Sequence, residues 1–236
     1  MSAAKRWGWI TVNPLDAAQR PRMPQPQPDL PSPDEAAKIA NAAWQQDEDW
    51  GTFVWLTLVT GARRGELLAL TWEDVDLVTG VLTIRRSLVA HSGKTIVKDT
   101  KTHQMRRISL DEATVEILGA HQKRCASRCT GIGTTLRHEA YVFSYFPDNQ
   151  RPCNPSAITH RYARMTTKLG LRTHLHALRH YSATELLAAG VDLRTVAGRL
   201  GHGGGGSTTL KVYAAWVAGA DRKAAKLIAS RLPRPP

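Results

Sequence analysis

Six side chains of the types that bind and cleave phosphodiesters stand in short, distinctive contexts along this 236-residue chain. They are two arginines, a lysine, two histidines and a tyrosine, in the order Arg63, Lys101, His176, Arg179, His202 and Tyr213. Guanidinium groups can bind phosphate oxygens, and a lysine with imidazoles can move protons without a metal. A tyrosine oxygen can attack phosphorus. The set therefore predicts the cutting and rejoining of a phosphodiester strand.

Arg63 follows the break Thr60-Gly61 and begins a predicted helix, with Glu66 one turn later on the same face. The carboxylate of Glu66 could hold the guanidinium of Arg63 toward an anion. The alternative is an ordinary exposed ion pair. Arg64 competes for the same role because it is the next residue along the chain.

His176, Arg179 and His180 occupy positions i, i+3 and i+4 of a predicted helix and so share one face. Several cationic or titratable groups on one face favour a nearby anion, because their mutual repulsion is otherwise costly. A solvated polar face is the alternative. The spacing does not match the zinc-protease motif, since no glutamate follows the first histidine.

Lys101 lies between two threonines at a turn that should link two strands, where it could protonate a leaving oxygen. A merely solvated lysine is the alternative, and Lys94 and Lys98 are rivals. Tyr213 follows His202 beyond a run of glycines. Because a free tyrosine has a pKa of about 10, Tyr213 needs an adjacent cationic cluster to become a competent nucleophile at neutral pH.

Two further patterns suggest other sites but match them poorly. The glycines of 201–208 have the spacing of a phosphate-binding loop, yet Ser207 stands where that loop needs a lysine. A zinc set could be drawn from His121, Cys125, Cys129 and His138. Its spacing fits no common zinc pattern, and helical cysteines four residues apart are often packing residues.

The composition indicates a polyanionic partner. The chain has 32 Lys and Arg against 20 Asp and Glu, a net charge of +12, which favours nucleic acid. The 7 tryptophans and 42% hydrophobic content predict a real core, unlike a small generic basic protein. An odd set of 3 cysteines fits a reducing cytoplasm, and no apolar stretch is typical of a signal peptide or a membrane span.

Hydrophobic periodicity and capping residues predict an α+β fold, mainly helical, with a small three-stranded antiparallel sheet. Ser32 should cap the first long helix with Glu35 as its capping-box partner, and Asp111 should cap the helix that follows the sheet. The predicted helices are 33–46, 50–59, 62–70, 111–128, 156–169, 175–189, 192–200, 210–217 and 221–231. The predicted strands are 81–89, 95–98 and 106–110.

The chain should divide into three parts. Seven prolines fall within residues 1–33, which we expect to be an extended linker that follows a preceding segment. Residues 34–219 should form the catalytic domain, and residues 220–236 a C-terminal helix and tail.

These contexts together resemble the tyrosine recombinase family, the phage integrases, over roughly residues 30 to 220. The segments that carry the resemblance are TGARRGEL at 60–67, LTWEDVD at 70–76, HALRH at 176–180 and LGH at 200–202, followed by Tyr213. The stretch between His202 and Tyr213 has more glycines than the commoner family pattern, which leaves the resting position of the tyrosine open. The family usually carries one or two N-terminal DNA-binding domains, and the resemblance implies that the linker of residues 1–33 stands in their place here. Such a catalytic fragment should bind DNA weakly and in a salt-sensitive manner.

The resemblance implies site-specific recombination of a phage or mobile element at DNA attachment sites, without cofactor or metal. Arg63 and Arg179 would bind the scissile phosphate with help from His202, while Glu66 and His180 support the site. His176 would accept the proton of Tyr213, which forms a 3′-phosphotyrosine link, and Lys101 would protonate the leaving 5′ oxygen. The expected compartment is the bacterial cytoplasm, at the nucleoid.

The sequence leaves alternatives for the oligomeric state and for the type of activity. The resemblance implies a tetramer on DNA for the full-length family and leaves a monomer open for this chain. A topoisomerase of type IB would use similar chemistry without strand exchange, although the tail favours recombination. A non-catalytic DNA-binding regulator would explain the charge, but not six polar groups in family order.

Overall fold

The computed structural model describes residues 2–13, 30–91, 94–99 and 105–201. Its helices are α1 (Ser2–Arg6), α2 (Pro33–Gln46), α3 (Glu48–Thr60), α4 (Arg64–Leu68), α5 (Glu112–Gly131), α6 (Pro155–Lys168), α7 (Leu175–Ala188) and α8 (Leu193–Leu200). Its strands are β1 (Val75–Asp76), β2 (Val81–Ile84), β3 (Arg86–His91), β4 (Lys94–Asp99) and β5 (Arg106–Ser109), preceded by the 3₁₀ turn Trp72–Asp74. None of the helices in these ranges has the length and apolar character needed to cross a bilayer.

Local capping signals fix the ends of the helices that carry the site. The Ser32 hydroxyl accepts the backbone N–H of Glu35 at 3.2 Å, and the Glu35 carboxylate accepts that of Ser32 at 2.8 Å, so the predicted capping box is present. Asp47 caps α3 by accepting the backbone N–H of Trp50 at 2.7 Å. Gly61 ends α3 with φ at +60°, a left-handed conformation that favours glycine.

The small antiparallel sheet is confirmed, although its strands differ from those predicted. β2 lies between β1 and β5 in a three-stranded sheet, while β3 and β4 form a separate two-stranded hairpin. The predicted strand 81–89 is thus divided at Arg85. The guanidinium groups of Arg85 and Arg86 both contact the buried carboxylate of Asp74, which ties the division point to the 3₁₀ turn.

One main core holds the helices against the sheet. Trp50 stacks on Phe53 with ring centroids 5.5 Å apart, and Phe53 meets the edge of Phe143 at 5.1 Å. Leu82 and Ile108 bring the sheet into the same core. A smaller cluster centred on Ala183, Val196 and Leu200 joins α7 to α8. This smaller cluster therefore holds α8 beside α7.

A buried ion network joins the start of α3 to α5. His121 is 1% exposed, with Nδ1 3.1 Å from Asp49 Oδ1 and Nε2 2.7 Å from the Val142 carbonyl oxygen. Arg124 and Arg128 pair with the same carboxylate of Asp49 at 3.1 and 2.8 Å. Burial alone would lower the pKa of His121, but Asp49 and the Cys125 thiol raise it to about 9. His121 is therefore protonated at neutral pH, donating through both ring nitrogens.

This network accounts for part of the residue set that suggested zinc. Cys125 lies 3.8 Å from Nε2 of His121, and the Cys129 thiol donates to the Pro147 carbonyl at 3.3 Å. Across the ranges that the structure describes, no three His, Cys, Asp or Glu side chains gather into a metal-holding group. His121, Cys125 and Cys129 thus lie among the buried residues of α5, where they pack against the rest of the protein.

The protonation of His121 predicts a loss of stability at alkaline pH. Its pKa of about 9 in the folded chain exceeds the value of about 6.5 expected on unfolding, so the contribution is complete below pH 6.5 and lost as pH rises through 9. The free energy of unfolding in urea should fall by about 3 kcal/mol across that window. His121→Gln should lack this slope. A wild-type stability independent of pH between 6.5 and 9 would contradict the assignment.

Candidate active site

Arg63 and Glu66 form the first half of the site at the start of α4. Arg63 precedes the helix with extended backbone angles (φ −68°, ψ 147°), so the helix predicted for 62–70 is shorter than expected. The Glu66 carboxylate accepts the backbone N–H of Arg63 at 2.7 Å and its Nη1 at 2.9 Å. Arg63 is 44% exposed and Glu66 only 3%. A buried carboxylate that orients a half-exposed guanidinium is not an ordinary surface pair.

Arg106 is a second arginine on the same carboxylate, and sequence reasoning missed it. Its Nη1 and Nη2 donate to the two oxygens of Glu66 at 3.1 and 2.6 Å, and its Nε donates to the Arg199 carbonyl at 2.9 Å. Burial would raise the pKa of Glu66, but Arg106 and then Arg63 outweigh it and lower the pKa. The available signal was strand alternation, because Arg106 shares a face of β5 with the buried Ile108.

Arg179 forms the second half of the site from α7. Its side chain is 2% exposed, with Nη1 donating to the Gly61 carbonyl and Nη2 to the Leu200 carbonyl, both at 2.7 Å. These carbonyls lie at the C-terminal ends of α3 and α8. Because a helix C-terminus carries partial negative charge, two such ends stabilise a buried cation. Arg179 thereby joins three helices at one point.

The two predicted arginines converge at the end of α8. Arg179 binds the Leu200 carbonyl, and Nη2 of Arg63 lies 3.5 Å from the carbonyl oxygen of the next residue, Gly201. Gly201 has φ at +68° and ends α8. The guanidinium groups of Arg63 and Arg179, which are far apart in sequence, therefore approach adjacent peptide groups of the chain directly before His202.

His176 and His180 lie beside these arginines on α7. Their rings meet edge to face with centroids 4.8 Å apart. Partial removal of His176 from water, followed by the positive charges of His180 and Arg179, lowers its pKa to about 4. Burial and the charge of Arg179 also lower the pKa of His180. At neutral pH the His176 imidazole is therefore uncharged and able to accept a proton.

Arg64, the rival of Arg63, points elsewhere. Its Nη1 donates to the Thr159 hydroxyl on α6, while Arg63 faces Glu66. The two adjacent arginines thus have separate partners, and Arg63 is the one that contacts Glu66.

Lys101, His202 and Tyr213 lie outside the described residues. So do residues 14–29 of the expected linker, residues 202–208 of the run that suggested a phosphate-binding loop and the predicted helices after Gly201. Within the described part of the expected extended linker, Ser2–Arg6 form the short helix α1. Of the predicted site, the structure brings Arg63, Glu66 and Arg179 together at the end of α8, while His176 and His180 lie beside Arg179 on α7. The roles of these residues remain predictions.

The chain is similar to known proteins over most of its length. A sequence model described as the phage integrase family matches residues 32–217. The ICEBs1 integrase of Bacillus subtilis (strain 168) is 27% identical over 202 residues, which cover 85% of this chain and 54% of that protein. This chain spans about half the length of the curated integrases that it matches.

Solved structures show the same fold. An integrase of the transposon Tn1549, bound to transposon right end DNA, aligns with a TM-score of 0.73 and 21% identity, covering 96% of this chain and 75% of that one. A lambda integrase dimer bound to a COC′ core site aligns with a TM-score of 0.60 and 21% identity, covering 89% and 55%. The predicted α+β fold is thereby confirmed.

Proposed function

Because this chain belongs to the phage integrase family, we propose that it is the catalytic part of a site-specific DNA recombinase. It would cleave and rejoin DNA through a 3′-phosphotyrosine intermediate, to integrate or excise a phage or mobile element. The observation that carries the proposal is the convergence of Arg63 and Arg179 on the adjacent carbonyls of Leu200 and Gly201. A scissile phosphate beside both guanidinium groups would find the positive charge that its transition state requires.

The two arginines suit different parts of this task. Arg63 is half-exposed and oriented by Glu66, so it would donate directly to a nonbridging oxygen. Arg179 is 2% exposed, and its charge would act from a water-poor position, where electrostatic interactions are stronger. His202, which follows Gly201 in the sequence, would add a further donor, and His180 would support His176.

The proton transfers fall to three groups. The oxygen of Tyr213 attacks phosphorus while its proton passes to His176, which is uncharged at neutral pH because its pKa without DNA is about 4. The negative charge of the bound phosphate would raise this pKa and make His176 a stronger base. The bond from phosphorus to the 5′ oxygen breaks, and Lys101 supplies the proton to that oxygen. The new bond to Tyr213 keeps the phosphate as a diester, so a 5′ hydroxyl can reverse the step without an added energy source.

The partner in this proposal is double-stranded DNA at attachment sites. The net charge of +12 supports it, as do structural relatives solved in complex with DNA. We further propose that residues 34–219 act as the catalytic domain, that residues 1–33 serve as a linker and 220–236 as a coupling tail, and that the assembly on DNA is a tetramer at the nucleoid.

Covalent capture on a library of DNA duplexes tests the proposal and selects the target sequence in the same step. The chain is incubated at low salt with duplexes that carry a randomised core and a nick just downstream, so that cleavage releases a short strand and cannot reverse. We expect a protein–DNA adduct that survives denaturing electrophoresis and can be sequenced to give the preferred site. Tyr213→Phe keeps the ring and removes the nucleophile, and should give no adduct.

The same experiment can refute the proposal. Equal adduct yields from the wild type and Tyr213→Phe would exclude Tyr213 as nucleophile. A wild type that binds the library but forms no adduct would favour the non-catalytic regulator.

A further inference from the structure

Arg106 occupies a place between the two halves of the site. Its side chain is 10% exposed, and all three of its guanidinium nitrogens donate: Nη1 and Nη2 to Glu66, and Nε to the Arg199 carbonyl. Glu66 belongs to α4 and Arg199 to the last turn of α8. The side chain of Arg106, on β5, therefore fixes two helices relative to each other. One is α4, whose Glu66 orients Arg63, and the other is α8, which ends two residues before His202 in the sequence.

Close packing supports this placement. A Cβ added to Gly201 would lie 2.6 Å from Nη1 and 3.1 Å from Cδ of Arg106, so the Arg106 side chain packs closely against Gly201. The carbonyl of the same glycine lies 3.5 Å from Nη2 of Arg63. Arg106 and Arg63 thus share two contacts, Gly201 and Glu66. A shift of Arg106 would therefore move Gly201 and Glu66, and through them Arg63.

The charge of the Glu66 carboxylate determines how a loss of Arg106 would affect Arg63. Glu66 is one buried carboxylate shared by two guanidinium groups, and Arg106 takes the bidentate position, which is the stronger interaction. Arg63 makes a single side-chain hydrogen bond to Glu66, at 2.9 Å. Without Arg106, the carboxylate would turn its full charge toward Arg63 and compete with a phosphate for that guanidinium.

We propose that Arg106 is a positioning residue for phosphodiester cleavage: it saturates Glu66 and holds the end of α8, which keeps Arg63 oriented and available to the scissile phosphate. Arg106 does not contact the reacting atoms in this scheme and acts through Arg63. The inference rests on the proposed recombinase activity and adds a residue that the sequence pattern did not indicate.

The test compares two versions of the duplex recovered by covalent capture. One carries the natural scissile phosphate, and the other a methylphosphonate, in which a methyl group replaces one nonbridging oxygen and removes the negative charge. Arg106→Ala should slow adduct formation about 10- to 100-fold on the phosphate, because small displacements of a catalytic group have effects of that size. The loss should be much smaller on the neutral methylphosphonate, which needs the charge of Arg63 less.

Two controls separate positioning from folding and from overall charge. Arg107→Ala removes the same charge from the exposed face of the same strand and should react like the wild type at saturating DNA. Arg106→Lys keeps the charge but cannot bind Glu66 bidentately while reaching Arg199. Arg106→Lys should lose less activity than Arg106→Ala, and its loss should again be greater on the phosphate duplex than on the methylphosphonate duplex. It serves as the measured variant if Arg106→Ala does not fold.

The outcomes distinguish this inference from the proposed function. An equal loss on both substrates would mean that Arg106 is only structural, and a wild-type rate for Arg106→Ala would exclude any role. Either result leaves the recombinase assignment intact, whereas a wild type that forms no adduct in the covalent capture would overturn both proposals.

Discussion

Arg63→Ala should lower the rate of covalent adduct formation by about 100-fold or more, the usual cost of removing a donor that stabilises transition-state charge. The variant should remain folded, because the Arg63 side chain is 44% exposed and Glu66 keeps its bidentate partner in Arg106. The rate is measured in single turnover on the captured duplex, with thermal unfolding measured in parallel.

Arg64→Ala is the matched control for this prediction. It removes the same charge from the adjacent residue, whose guanidinium contacts Thr159 on α6 and not Glu66. Its cleavage rate at saturating DNA should stay close to that of the wild type. If Arg64→Ala lost as much activity as Arg63→Ala, the assignment of Arg63 from its contact with Glu66 would be wrong.

Arg179→Ala should lower both cleavage and stability. The cleavage rate of the folded fraction should fall by about 100-fold or more, as for Arg63. The buried carbonyls of Gly61 and Leu200 would also lose their donors, which should cost about 3 kcal/mol of unfolding free energy. Urea titration gives the second quantity, and single-turnover cleavage corrected for the folded fraction gives the first.

Arg199→Ala provides the comparison for Arg179. Its Nη1 and Nη2 also donate to two backbone carbonyls, those of Ser109 and Val59, each at 3.1 Å. This variant should be destabilised to a similar degree while its folded fraction retains most cleavage activity. Equal cleavage losses in the two variants would show that the contribution of Arg179 is architectural and not electrostatic.

Local sequence signals predicted the helix ends that build the site. Ser32 with Glu35 marked the start of α2, and Gly61 and Gly201 marked the ends of α3 and α8, because capping geometry depends on residues only a few positions apart. The pair Arg63 and Glu66 was predictable for the same reason, as its members are three residues apart.

Local spacing could not predict contacts between residues that lie far apart in the sequence. Arg106 reaches Glu66 across 40 positions, and Arg179 reaches Gly61 across 118. Helix periodicity placed Arg179 with two histidines on one polar face, but it carried no information on the carbonyl ends of α3 and α8 that bury its guanidinium. The division of the predicted strand at Arg85 likewise depends on its pairing with Asp74.

Mass spectrometry of the trapped adduct identifies the tyrosine whose oxygen attacks the phosphate. After nuclease and protease digestion, we expect a nucleotide on the peptide that contains Tyr213 and on no other tyrosine. Tyr162 is an unsuitable nucleophile, because it is 1% exposed and burial raises its pKa. A nucleotide on Tyr141, Tyr145, Tyr162 or Tyr181 would exclude Tyr213 as the nucleophile.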